Sequence, residues 1–142
     1  MPTTFAKLSE GWNAEPNAPH ERVSRDGRDV LLSFHLNPYQ YPSFHVGDKG
    51  TIRFSECWRY RLGSTNDEGW YRGQCRFSGV APAWGEFYEV RGDLRLTELT
   101  ESWVILGEQS SETKHYLFYF RDTTFECDAT GWQLTVSKGH DA

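Results

Sequence analysis

From Arg28 onward, apolar and polar side chains alternate with a period close to two. That period admits little besides β-strand, because successive strand side chains point to opposite faces of a sheet while a helix needs a repeat near 3.6. In RDVLLSFHLN (28–37), Val30, Leu32, Phe34 and Leu36 share one face and Ser33, His35 and Asn37 the other. The turn residues of PYQYPS follow. In TIRFSECWRYRL (51–62), Ile52, Phe54, Trp58, Tyr60 and Leu62 fall on one side, with Thr51, Arg53, Ser55, Arg59 and Arg61 opposite and Glu56 interrupting the inner face. A loop, GSTNDEG, leads into WYRGQCRFSG (70–79), and the two runs read as a hairpin. GEFYEVRGDLRLTEL (85–99) places Tyr88, Val90, Leu94 and Leu96 on one face, with Gly92 as a bulge or corner. The later runs SWVILGE, KHYLFYFRD and TFECDATGWQLTVS alternate less cleanly; Leu117 to Phe120 is apolar on both sides, the pattern of a strand covered on both faces.

These runs predict an all-β fold, an antiparallel barrel or sandwich of about seven to eight strands. Burial rests on aromatic side chains, 15% of the chain, which favours sheet over helical bundle. Residues 1–27 carry Pro16 and Pro19 and little periodicity, so they are expected to form an extended N-terminal strap leading into a β core over 28–137. A short helical turn is expected around Phe5 to Glu10; an α+β fold with such a terminal helix is the alternative. The 142 residues show no internal repeat or linker and read as a single domain.

Composition narrows the partners. A net charge of −5 argues against nucleic acid and against anionic membranes, both of which need a positive surface field. From Glu98 to the end, eight acids face three bases, an excess that equals the imbalance of the whole chain. There is neither a bilayer-length apolar run nor a signal-peptide pattern at the start, so a cytoplasmic location is expected. Cys57, Cys75 and Cys127 lie far apart without a CxxC pair, and read as reduced, buried thiols rather than a disulfide framework or zinc site.

No phosphate loop, nucleophile elbow, HExxH or EF-hand spacing occurs, and the five histidines are dispersed. No catalytic residue, metal ligand or cofactor is therefore assigned. His35 and His45, the nearest pair, read as solvated or hydrogen-bonded imidazoles. Three constellations stand out. In the first, Asn66, Asp67, Glu68 and Trp70 in one turn and Trp84, Glu86 and Glu89 in another would make a sugar-binding or hydrolytic cleft if they converged, and otherwise build turns and cover the sheet end. In the second, Arg53, Arg59, Arg61, Arg72 and Arg76 project from the outward face of the expected hairpin; they either receive an anion or pair with acids of a neighbouring strand. In the third, Trp12 opens the strap and either plugs one end of the fold, with Asn13 and Asn17 satisfying exposed sheet groups, or walls a ligand mouth.

The segments WNAEPNAP (12–19), NDEGWY (66–71) and WGEFYEV (84–90) together resemble a family of small uncharacterised bacterial proteins. The resemblance implies a bacterial, cytosolic, single-domain protein and carries no activity, substrate or catalytic residue. The absence of catalytic spacing, joined to segregated charge, points to a non-enzymatic binding protein that recognises an acidic protein partner or a small anionic ligand, in an immunity-like or regulatory role. A barrel enclosing a small apolar ligand is the alternative, and a carbohydrate-active hydrolase using Asp67, Glu68, Glu86 or Glu89 comes third. Strand order and oligomeric state are not set by the sequence.

Overall fold

The computed structural model describes residues 4–64, 85–92, 103–121 and 123–138. Among them are ten strands and no helix. In chain order these are β1 (Thr4–Lys7), β2 (Arg22–Asp26), β3 (Asp29–His35), β4 (Lys49–Ser55), β5 (Arg59–Ser64), β6 (Phe87–Arg91), β7 (Val104–Ile105), β8 (Lys114–Tyr119), β9 (Thr123–Ala129) and β10 (Gly131–Ser137). A six-stranded sheet runs β1-β6-β8-β9-β5-β7 and a four-stranded sheet β10-β4-β3-β2, every pairing antiparallel. The two sheets pack as a sandwich, so the all-β expectation holds while the barrel and the α+β alternative do not.

The run at 51–62 is two strands rather than one. β4 belongs to the four-stranded sheet and β5 to the six-stranded sheet, and the chain turns between them at Glu56, whose φ is +48°. The turn is held by Glu56 N–H on Asp29 Oδ1 (3.0 Å), Cys57 N–H on the Arg28 carbonyl (2.8 Å) and Trp58 N–H on the Asp128 carbonyl (3.0 Å). β9 and β10 cross between the sheets beside it, where Thr130 N–H bonds the Ser55 carbonyl at 2.9 Å. A single two-stranded ribbon, β4-β5 against β10-β9, therefore bends from one sheet into the other, the usual way a strand changes sheets at a corner. β4 has β3 and β10 as its two neighbours, which leaves no edge for the expected pairing with 70–77. Leu62, expected inward, is 39% exposed.

The N-terminal segment also differs from expectation. The residues expected to form a helical turn instead include β1, which pairs with β6, and Arg22–Asp26 pairs with β3 through a tight turn at Gly27 and Arg28. Gly27 has φ +64°, a conformation a β-carbon disfavours. A strip of free edge on β6 outweighs local helix preference for residues 4–7, because its backbone groups need partners wherever water is excluded.

Phe34, Phe54, Phe87, Tyr116, Phe118, Phe120 and Phe125 fill the space between the sheets, each at most 1% exposed. Their rings pack edge-on or offset, with Phe118 and Phe120 centroids 4.4 Å apart and Phe34 and Phe118 5.0 Å apart. Each such ring contributes about 1.5–3 kcal/mol by leaving water. Among the described residues, the filled interior leaves no lumen of the kind a ligand-holding barrel needs. The middle strands of the six-stranded sheet are buried on their other face as well, where Tyr88, Val90, Leu117 and Tyr119 form a second cluster with Phe5 against it. Leu117 to Phe120 is thus covered on both faces, as its composition predicts.

Candidate functional site

Trp12, in the strap, and Glu86, just before β6, lie on the same part of the fold, Glu86 bonding Asn13 beside Trp12. The indole of Trp12 is 7% exposed and wedges between the sheets, 5.9 Å from Phe34, 6.1 Å from Phe87, 6.2 Å from Phe118 and 6.4 Å from Trp132. Glu86, 8% exposed, accepts hydrogen bonds from Ser9 Oγ (2.7 Å) and Asn13 Nδ2 (2.9 Å), with Lys7 Nζ at 3.8 Å. The strap is further tied by Asn37 N–H on the Asn13 carbonyl and Glu15 N–H on the His35 carbonyl. Both oxygens of Glu86 hold the N-terminal segment in place. Glu89 pairs with Arg91 at 2.6 Å. Asn66, Asp67, Glu68, Trp70, Arg72, Arg76 and Trp84 lie outside the described residues.

The arginines do not share one ribbon. Arg53, on β4, faces outward and bonds Asp29 (2.8 Å) and Asp26 (2.7 Å). Asp29 is held below the usual carboxylate range first by the Glu56 N–H and then by Arg53. Arg59 and Arg61, on β5, belong to the other sheet and are largely buried. Arg59 Nε meets Asp128 Oδ2 at 2.5 Å and Arg61 Nη1 meets Glu126 Oε2 at 3.4 Å, each directly across the β5-β9 ladder. Gly63 makes room for this, since a β-carbon there would sit 2.5 Å from Arg61 Nη2. The Arg59 guanidinium is sandwiched between Trp58 and Trp103, 4.6 and 4.2 Å from the ring centroids.

His115, on β8, completes this lattice. Its ring nitrogens lie 2.9 Å from Asp128 Oδ1 and 3.0 Å from Glu126 Oε1, with no side-chain surface exposed. Burial alone would lower its pKa, but the two carboxylates outweigh that and hold it above the ordinary histidine value, the state in which both nitrogens donate. Burial pushes Asp128 up, and His115 and Arg59 more than reverse it. Three cations and two carboxylates thus interlock across β5, β9 and β8. His115 and Glu126 at its centre are closed to solvent, Arg59, Arg61 and Asp128 keep a small exposed fraction, and the group braces the sheet.

Four of the basic side chains that make no ion pair among the described residues converge elsewhere. On the outer face of the four-stranded sheet, Arg22, Ser33 and Thr51 stand in one row across β2, β3 and β4, and His35 and Lys49 in the next. His20 leaves the strap with φ +48° and sets its ring 5.0 Å from that of His35, at 66°. His20, Arg22, Ser33, Phe34, His35 and Lys49 line an open cavity of about 480 Å³. Phe34 turns its ring inward, so the accessible side chains are four bases and a hydroxyl. None of the four bases makes an ion pair with a carboxylate among the described residues. The His35 imidazole is held below its usual pKa by burial first, then by His20 and Lys49, against a smaller opposing pull from Glu15. Glu15 itself accepts the Asn17 and Ala18 N–H groups. At the far end of the same face Arg53 is neutralised by two aspartates, so positive charge is concentrated at one end of the sheet. A second cavity, about 470 Å³, is lined by Arg28 together with Glu56 and Glu108 and has no such imbalance.

The sequence placed Ser33 and His35 on one outward face, yet this site was not recognised in it. The missing piece was β2. The Asp26-Gly27 pair, flanked by alternating residues, is a hairpin signal that would have set Arg22 beside Ser33. His20 joins only because Pro19 accepts a hydrogen bond from His35 N–H at 2.7 Å, a tertiary contact. His45 sits in the 37–48 loop, 3.9 Å from Asp48 Oδ2, and takes no part in the cavity. Compared with known proteins, the chain matches no family model, no curated sequence and no solved structure.

Proposed function

We propose that the protein is a non-enzymatic binding protein whose ligand is a small anion held in the His20–Arg22–Ser33–His35–Lys49 cavity. The observation that carries the reading is four basic side chains, unpaired with carboxylates among the described residues, around one cavity in a chain of net charge −5. An acidic protein ordinarily spends its bases on its own acids, as Arg53, Arg59 and Arg61 do here. Leaving four together raises a local positive potential that is relieved by an incoming anion. The donor types suit the task, because arginine offers a planar fork and lysine a mobile point charge. The cavity volume falls in the ~300–1,000 Å³ range of small-molecule sites.

Titration with inorganic phosphate, followed through the imidazole resonances of His20 and His35, tests this. Saturable binding with a Kd at or below about 1 mM is expected. Lys49→Gln and Arg22→Gln each weaken it roughly tenfold, the loss of one charge-assisted hydrogen bond. Histidine signals that do not saturate by about 10 mM phosphate, ten times that Kd, would refute the proposal.

A further inference from the structure

We infer that this cavity takes a phosphomonoester dianion and draws a proton onto His35 as it does so. The inference rests on the anion-binding reading above and adds the ligand class and its regulation.

The donors first select the shape. Arg22 from β2, Ser33 and His35 from β3 and Lys49 from β4 rise from one face of the sheet and His20 closes in from the strap, so the donors converge on a ligand from several directions above that face. A carboxylate has two oxygens in one plane and a single charge; it would engage part of this set and leave the remaining cations facing one another. A phosphomonoester brings three acceptor oxygens spread tetrahedrally and nearly two charges above its second ionisation, which lies near pH 6. Its fourth oxygen carries the organic group. The volume of about 480 Å³ exceeds what the phosphate alone fills, leaving space for that group toward the open mouth.

Charge selects the protonation. Arg22 and Lys49 are permanent cations. The centroids of the two imidazoles are 5.0 Å apart, and His20 and Lys49 disfavour a proton on His35 while Glu15 favours it less strongly. With His20 and Lys49 beside it and its ring partly buried, His35 resists a proton while the cavity is empty. A dianion among these groups reverses that balance, because each oxygen is a strong acceptor for an imidazole N–H. Proton uptake therefore accompanies binding, and rising pH releases the ligand.

Calorimetric titrations of the full chain with glycerol 3-phosphate, inorganic phosphate, sulfate and acetate, each in two buffers of different ionisation enthalpy, test the inference. Glycerol 3-phosphate is expected to bind best near pH 6, where the phosphate ionises and below the ordinary imidazole value, taking up a fraction of a proton and weakening up to roughly tenfold per pH unit well above that. Sulfate, a dianion throughout, should show only the loss at high pH, and acetate should bind at least about tenfold more weakly. His35→Gln should reduce proton uptake and flatten the high-pH limb while sulfate still binds. Acetate matching glycerol 3-phosphate would overturn the ligand class, as would inorganic phosphate binding where the ester does not. Binding without buffer-dependent heat would overturn the proton linkage. Failure of all four anions to bind would instead overturn the anion-binding reading itself.

Discussion

Replacing His115 with glutamine removes one cation from between two buried carboxylates while keeping most of the side-chain volume. In the native sheet His115 makes bonds of 2.9 Å to Asp128 and 3.0 Å to Glu126 with none of its side chain exposed. Arg59 still serves Asp128 after the substitution, but Glu126 retains only Arg61 among these cations, at 3.4 Å. Breaking a buried pair by removing one partner costs about 3–5 kcal/mol, and a chain of this size loses roughly 3 °C of Tm per kcal/mol, so a fall of about 10–15 °C near pH 6 is expected. The pH dependence gives the sharper test. The folded pKa of His115 is raised above its unfolded value, so its contribution is fully present below the unfolded pKa and is lost as pH rises through the folded one. The stability gap between wild type and His115→Gln, measured by urea unfolding from about pH 6 to pH 9, should therefore narrow with increasing pH. A gap below about 1 kcal/mol, or one constant across that range, would refute the charged lattice and leave a neutral imidazole with ordinary hydrogen bonds.

Two further substitutions test the strap. Trp12→Ala empties the wedge between Phe34, Phe87, Phe118 and Trp132 and should cost about 3–5 kcal/mol in denaturant unfolding, whereas an indole that only walled a ligand mouth would be replaced at little cost. Glu86→Ala strands the donors of Ser9 and Asn13 and should cost about 2–3 kcal/mol and speed proteolytic cleavage within residues 8–18, with phosphate binding unchanged in the folded protein.

The arginine face shows why part of the molecule was misread. Alternation correctly set Arg53 outward and Ile52 and Phe54 inward, because strand geometry forces that on any sheet. It carried no information that the chain would change sheets at Glu56, since the hydrogen bonds holding that turn come from Asp29, Arg28 and Asp128, distant in sequence. Arg59 and Arg61 thereby moved from an expected outward ribbon onto a buried face. The acids that receive them lie in the C-terminal third, so charge that looks segregated along the chain is partly neutralised across β5 and β9. The strap is the opposite case: of the two readings Trp12 allows, a plug or a wall of a ligand mouth, its packing between the sheets fits the first, because a large indole among polar and proline residues has few other ways to leave water.

Local side-chain order was enough to determine the all-β class, the inward faces of β3 and β4 and the two-sided burial of Leu117 to Phe120, because period and composition act within a few residues. The number of sheets, their order and the convergence of His20, Arg22, Ser33, His35 and Lys49 were decided only by tertiary structure. Strand pairing is set by which edges meet after the aromatic core closes, and a cavity built from four separate segments exists only once those pairings are made.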